Sequence, residues 1–269
     1  MKRRTLVMAA PSVLAARALH AEPAEVVVYA AGSLRGALTE FARRFEAAQP
    51  GTSVRFVFGA SGLLKDRLLA GEAAHVFASA NMEHPQALAA TAKAGAVQRF
   101  TRNRLCVLAR EGIAVTPADV VDRLLDPALR VATSTPKADP SGDYAWQMFG
   151  RVGARGGAYA GAEAALQAKA LQLTGGPNSP PPPAGRSVYG AILEAGQADV
   201  FVTYCTNALQ ARREVPSLRQ IDLPDDVNVA ADYGVALLSG APAAAQRFID
   251  ALLGAEGQAV LAAQGFAPR

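Results

Sequence analysis

The sequence predicts an α/β protein of two lobes facing each other across a cleft, each lobe a mostly parallel sheet flanked by helices. Short apolar runs alternate with amphipathic helical segments, the signature of stacked strand–helix units. The alternation restarts beyond Phe100, so the chain builds the arrangement twice. Sheets of this kind receive ligands outside the carboxyl ends of their strands, and two facing lobes make a cleft there.

Val26 to Ala31 is apolar and β-branched at its start, as in a strand buried on both faces. Leu34, Leu38, Phe41 and Phe45 follow at helical spacing, with Arg35, Glu40, Arg43, Arg44 and Glu46 expected on the solvent side. Pro50-Gly51 ends that helix. Thr52 to Phe58 reads as a strand, Leu64 to Leu69 as a helix and Val76 to Ala80 as a third strand. Beyond the restart, Leu105 to Ala109 and Leu129 to Thr133 read as strands, with a helix between them starting near Pro117. Ser141 to Gly150 and Gly161 to Leu173 read as helices. Thr174 to Arg186, rich in proline and glycine, reads as an irregular loop. A helix from Ser187, strands at Asp199 to Tyr204 and Tyr233 to Leu238, and helices at Pro242 to Leu253 and Ala255 to Gln264 complete the chain. Residues 25–105 with 228–269 are expected to form the first lobe and 106–227 the second.

Lys2, Arg3 and Arg4 precede an apolar run from Leu6 to Ala16, and small residues follow at Ala18 and Ala21. That order predicts a secretory signal over residues 1–21 and an exported, periplasmic protein. The full chain carries 27 basic and 23 acidic residues; cleavage after Ala18 or Ala21 removes Lys2, Arg3, Arg4 and Arg17 and leaves 23 against 23. A near-neutral mature chain gives no case for nucleic acid or a membrane surface as partner. Cys106 and Cys205 lack metal-site spacing and are expected as two separate buried thiols, although an oxidising compartment permits a disulfide.

Strand-to-helix junctions carry a serine in a turn of small residues at Ala31-Gly32-Ser33, Ala60-Ser61-Gly62, Pro140-Ser141-Gly142 and Arg186-Ser187-Val188. A helix start offers unpaired N–H donors and partial positive charge, a serine hydroxyl adds a donor, and small neighbours let an anion approach. Several such ends hold a dianion without any arginine or lysine. The plainer reading is N-capping, which serine does well. None of these serines has Glu or Gln three residues on, so no capping box accompanies them.

Val26 to Leu38 (Val-Val-Val-Tyr-Ala-Ala-Gly-Ser-Leu-Arg-Gly-Ala-Leu) resembles the opening of mature periplasmic molybdate-binding proteins. Phe56 to Leu68 resembles their second binding segment, and Gly71 to Asn81 is similar to their Gly-x-x-Ala-Asp-Val-Phe-x-Ser-Ala-Asp stretch, with His75 and Asn81 in place of aspartates. Asp139 to Ala145 and Asp199 to Ala208 match later segments more loosely. The resemblance implies the two-lobed periplasmic-binding-protein architecture. It also implies a monomer that captures molybdate or tungstate between its lobes and delivers it to the permease of an ABC transporter, with no cofactor and no catalysis. It implies hydroxyl and N–H donation from Ser33 and Ser61, backbone N–H donation from Ser141 and Val188, and phenol donation from Tyr204. No residue would bind the metal directly. A branch of the family raises metal coordination with carboxylates; Asp139 matches one such position, but Thr203 stands at the other, so tetrahedral binding is expected.

Sulfate and phosphate compete as ligands. Phosphate keeps a proton near neutral pH and wants a buried acceptor, for which Asp139 and Asp143 are the candidates. An exported serine hydrolase is the rival from another class. Gly59-Ala60-Ser61-Gly62-Leu63 lacks the last glycine of a nucleophile elbow, Ser61 and Lys65 share a helix face, and His75 and His84 are the candidate bases left in the mature chain.

Overall fold

The computed structural model describes residues 24–181 and 184–269. The expected signal segment, residues 1–21, lies outside them. The strands are β1 (Ala24–Ala31), β2 (Thr52–Gly59), β3 (Val76–Ser79), β4 (Gln98–Ala109), β5 (Val131–Ser134), β6 (Leu171–Thr174), β7 (Val200–Tyr204), β8 (Arg219–Asp222) and β9 (Ala230–Leu237). The helices are α1 (Arg35–Ala48), α2 (Ser61–Leu69), α3 (Glu83–Ala90), α4 (Val120–Leu125), α5 (Pro140–Ala154), α6 (Ala162–Lys169), α7 (Val188–Glu194), α8 (Cys205–Glu214), α9 (Ala243–Leu253) and α10 (Ala255–Ala263). Among the described residues no helix is long and apolar enough to cross a membrane.

Val26 through Ala31 are all buried, as a strand covered on both faces requires. β1 pairs in parallel with β2 and β3 on its two sides, and β9 runs antiparallel to β3. In the second half, β5 lies parallel between β6 and β7. The apolar stripe of α1 meets α9 in an aromatic cluster, with Phe248 ring centroids 5.2 Å from Phe41 and 5.3 Å from Phe45.

The long strand β4 joins the two halves. Its residues up to Arg104 pair with β9, whereas Leu105 to Ala109 pair with β7 and β8. At the changeover, Asn228 accepts from the Leu105 N–H (3.1 Å) and donates to the Leu105 carbonyl (3.0 Å), acting as a one-residue strand. A backbone left unpaired there would cost a buried hydrogen bond on each side. Asn228 thus satisfies the backbone where the sheet changes partners.

Several elements depart from the sequence expectation. The helix expected over Gly161–Leu173 stops at Lys169, and Leu171–Thr174 forms β6 along β5. β4 begins at Gln98, earlier than Leu105, and β8 and α3 were not anticipated. The expectation of two separate thiols is corrected. Cys106 lies opposite Thr203 in the β4–β7 ladder, which brings it within a 4.9 Å Cα–Cα distance of Cys205, and the two form a disulfide.

Candidate anion-binding cleft

The carboxyl ends of β1 and β2 deliver Ser33 and Ser61 to one side of the cleft. Ser33 sits in a short 3-10 turn (Gly32–Leu34) between β1 and α1. Its Oγ lies 3.0 Å from the Tyr233 hydroxyl, which itself accepts from Asn103 Nδ2 at 3.2 Å. Either hydroxyl of this pair can be the donor, so Ser33 is tied into a Tyr233–Asn103 chain at the edge of the cleft. Ser61 begins α2, is almost fully buried, and accepts from the Ala80 N–H at 3.1 Å. That bond uses one lone pair and leaves the Ser61 O–H to donate into the cleft. Neither serine caps a helix: the N-caps of α1 and α2 are Leu34 and Ala60, without side-chain cap bonds.

The serines on the other side behave differently. Asp139 caps α5 and accepts from the Ser141 N–H at 3.0 Å. Ser141 is fully buried, its Oγ has no partner, and it is absent from the cleft lining. The Ser141 backbone N–H, expected to donate to the anion, is engaged by the Asp139 carboxylate in this structure. Ser187 caps α7 by accepting from Gly190 N–H at 3.3 Å, the plain capping role. Val188, first in α7, lines the cleft, as does Tyr204 at the end of β7. The Tyr204 hydroxyl donates to the Ala80 carbonyl at 3.5 Å, a long bond that reaches across from β7 to the residue after β3.

The cavity between these walls measures about 230 Å³. Part of its lining was not singled out from the sequence. Thr174 to Gly176 and Ser179 to Pro181, from the segment read only as an irregular loop, build one wall. Gly175 is left-handed there (φ +77°), and a side chain on it would strike the Asp139 carboxylate. Arg35, expected to face solvent, lies at the cleft with its guanidinium 4.4 Å above the Phe58 ring, and burial lowers its pKa. Arg186 also lines the cleft but is paired with Glu194 at 2.7 Å. Asp139 is a lining residue too, and desolvation pushes its carboxyl up to about 6. A doubled glycine in a proline-rich segment was the one sequence signal for this wall.

A backbone contact closes the cleft beside Ser61. The Gly62 N–H, in the first turn of α2, donates to the Ala138 carbonyl ahead of α5 at 2.9 Å. A Cβ on Gly62 would lie 2.6 Å from the carbonyl oxygens of both Ala138 and Lys137. Lys137 adopts φ +67°, uncommon for a residue with a side chain, with its N–H bonded to Asp143 at 2.7 Å. Glycine at 62 is what lets the two walls meet.

Nothing resembling a nucleophile–base pair surrounds Ser61. His75 Nδ1 accepts from the Val27 N–H at 3.0 Å, a structural bond. His84 makes no hydrogen bond to Ser61 among the described residues, and burial lowers its ring pKa to about 4. Lys65 pairs with Asp66 at 3.0 Å. Among the described residues, neither histidine nor Lys65 is hydrogen-bonded to Ser61 Oγ.

The sequence model of the bacterial extracellular solute-binding proteins matches residues 26–267. An uncharacterized protein of Pasteurella multocida is 36% identical over 244 residues, covering 90% of this chain and 98% of that protein. The molybdate-binding protein ModA of Mycobacterium tuberculosis is 28% identical over 245 residues, covering 90% of this chain and 84% of its own. Among solved structures, the sulfate-binding protein SubI of Mycobacterium tuberculosis superposes with a TM-score of 0.76 at 17% identity, covering 91% of this chain and 87% of that one. With nearly the whole described chain under the family model, this chain belongs to the bacterial extracellular solute-binding proteins.

Proposed function

We propose that the protein is the exported, periplasmic solute-binding component of an ABC importer and that it captures molybdate or tungstate. The observation that carries this is Ser61: its Oγ is buried, receives the Ala80 N–H, and so keeps its proton for an acceptor in the cleft. Ser33, hydrogen-bonded to the Tyr233 hydroxyl, brings a second hydroxyl to the same wall. A tetrahedral dianion without protons wants donors, and donors prearranged in a partly buried cleft need no reorganisation on binding. Val188 N–H and the Tyr204 phenol complete the set from the other wall, Tyr204 giving up its long bond to Ala80 for a better acceptor.

Two lobes are assigned as 25–105 with 228–269 and 106–227, supported by the change of partners on β4 between Arg104 and Leu105. The 28% identical relative named as molybdate-binding favours molybdate over sulfate. Phosphate is the reading that Asp139 favours, since a carboxylate accepts the phosphate proton. The protein acts as a monomer, presenting the closed form to its permease, and performs no catalysis. Calorimetric titration of the mature protein with molybdate, tungstate, sulfate and phosphate tests this. Tight one-to-one binding of the first two, with the others weaker, is expected; tighter phosphate binding would replace molybdate as ligand, and no binding of any would end the oxyanion reading.

A further inference from the structure

One group in the cleft is at odds with an anion site. Asp139 lines the cavity, and its carboxylate makes no ion pair with any described residue. Its Oδ1 accepts from the Ser141 N–H at 3.0 Å, and its Oδ2 lies against the backbone of Gly175, where a side chain would strike it. The groups around it do not neutralise it. Asp143, one turn further along α5, is itself a carboxylate and accepts from the Lys137 N–H at 2.7 Å; the exposed Lys137 side chain acts on Asp143. The Tyr189 phenol of α7 and the Tyr204 phenol of β7 lie nearby, and burial raises the pKa of both, so they stay uncharged. Of the arginines that line the cleft, Arg186 is paired with Glu194 at 2.7 Å and Arg35 stands over Phe58 on the other wall. A dianion seated at Ser61 would meet a bare carboxylate across a partly desolvated cavity, where like charges repel more strongly than in water.

We infer that anion capture is coupled to the uptake of one proton, held on Asp139: a carboxylate in the unliganded cleft becomes a carboxylic acid in the loaded one. The proton comes from solvent and changes the chemistry as well as the charge. A carboxylate only accepts, whereas the acid keeps the Ser141 bond on Oδ1 and offers a proton on Oδ2, becoming one more neutral donor. Desolvation already pushes this carboxyl up to about 6, near enough to neutral pH that an adjacent dianion completes the protonation. The inference rests on the oxyanion reading of the cleft and adds its regulation: affinity falls as pH rises above about 6, because the proton must then be drawn from a scarcer supply.

Molybdate and sulfate carry no proton of their own between pH 6 and pH 8, so any proton taken up belongs to the protein. Calorimetric titration of the mature protein with each anion at pH 7, in buffers of different ionisation enthalpy, counts those protons directly. With a carboxyl at about 6, Asp139 is about nine-tenths ionised at pH 7, so uptake of more than half a proton per anion is expected. Affinity should be about tenfold or more weaker at pH 8 than at pH 6. In Asp139→Asn, which keeps a capping side chain on α5, uptake should fall to near zero and the pH dependence to less than about threefold. Tight binding by the wild type without proton uptake would overturn the inference and leave the oxyanion site standing. Uptake that persists in Asp139→Asn would overturn the assignment to Asp139. Failure of both anions to bind would remove the inference, and failure of phosphate as well would end the oxyanion reading.

Discussion

The two walls of the cleft start from the same sequence motif and end in different chemistry. Ser33 and Ser61 follow β1 and β2 and cap no helix; the Ala80 N–H donates to Ser61 Oγ and leaves that hydroxyl proton uncommitted, while Ser33 Oγ shares a hydrogen bond with the Tyr233 hydroxyl. Ser141 lies in the first turn of α5 and Ser187 immediately precedes α7; both are absorbed into the helix starts, one buried behind an aspartate cap and one acting as the cap. The difference lies in the preceding residues. Ala60 cannot cap α2, so its N-terminal donors remain for other partners, whereas Asp139 is a strong cap that takes the Ser141 N–H. On the proposed reading, a serine at a helix start serves as a ligand donor only where nothing else caps the helix.

Substitutions on the two walls should therefore separate affinity from stability. The largest effect is expected at Gly62, where the walls touch. In Gly62→Ala the new Cβ overlaps two carbonyl oxygens, so the closed form is lost. Anion affinity should fall more than tenfold, and small-angle scattering should show no compaction on adding molybdate. Compaction with unchanged affinity would show that the Gly62–Ala138 bond does not hold the cleft shut. Next come Ser61→Ala and Ser33→Ala, each removing a charge-assisted donor and weakening binding by about 1–3 kcal/mol.

Asp139 sharpens the contrast, because Asp139→Asn keeps a good cap but removes the carboxylate from the cleft. Molybdate should then bind more tightly, and phosphate, which needs the acceptor, more weakly; both would be read by calorimetry. The same carboxyl gives a pH signature. Its folded-state pKa is raised to about 6 from 3.8, so the folded state holds the proton more strongly than the unfolded state. Stability should accordingly decline as pH rises from about 4 to about 6, by on the order of 3 kcal/mol, and the slope should vanish in Asp139→Asn. Asp199 contributes with the opposite sign. Arg130 and Arg110 hold its carboxyl well below the usual range, and that stabilisation is lost only as pH falls below about 4. Urea denaturation across this pH range distinguishes the two. The smallest effects belong to the absorbed serines: Ser187→Ala should cost about 1 kcal/mol of stability through the lost cap. Ser141→Ala should be neutral or slightly stabilising, since its buried Oγ has no partner to lose.

Much of this was legible in the sequence, and the gaps have physical causes. Apolar runs such as Val26–Ala31 mark strands buried on both faces, because no polar residue is tolerated on either side. The first half of β4, Gln98 to Arg104, hides among three arginines that point outward from an otherwise buried strand. β6 lies at the edge of the sheet with Leu171 exposed, so its four residues lack both burial and alternation and were merged with the preceding helix. In the site, the sequence showed which serines stand at junctions. It did not show that Asp139 would satisfy the Ser141 N–H, because capping depends on rotamer and not on composition. The wall from Thr174 to Pro181 was unreadable for a related reason: irregular backbone is positioned by what it packs against, here Thr135 and Asp139. The disulfide likewise depends on strand register, which alone sets Cys106 opposite Thr203.

The most direct test of the central claim is the molybdate affinity of Ser61→Ala measured beside that of Ser141→Ala. If the uncommitted Ser61 hydroxyl holds the anion, Ser61→Ala binds between about 5-fold and about 150-fold more weakly, the span of 1–3 kcal/mol, while Ser141→Ala stays within about twofold of wild type. Equal affinities for the two variants would contradict the account and move the anion site elsewhere in the cleft.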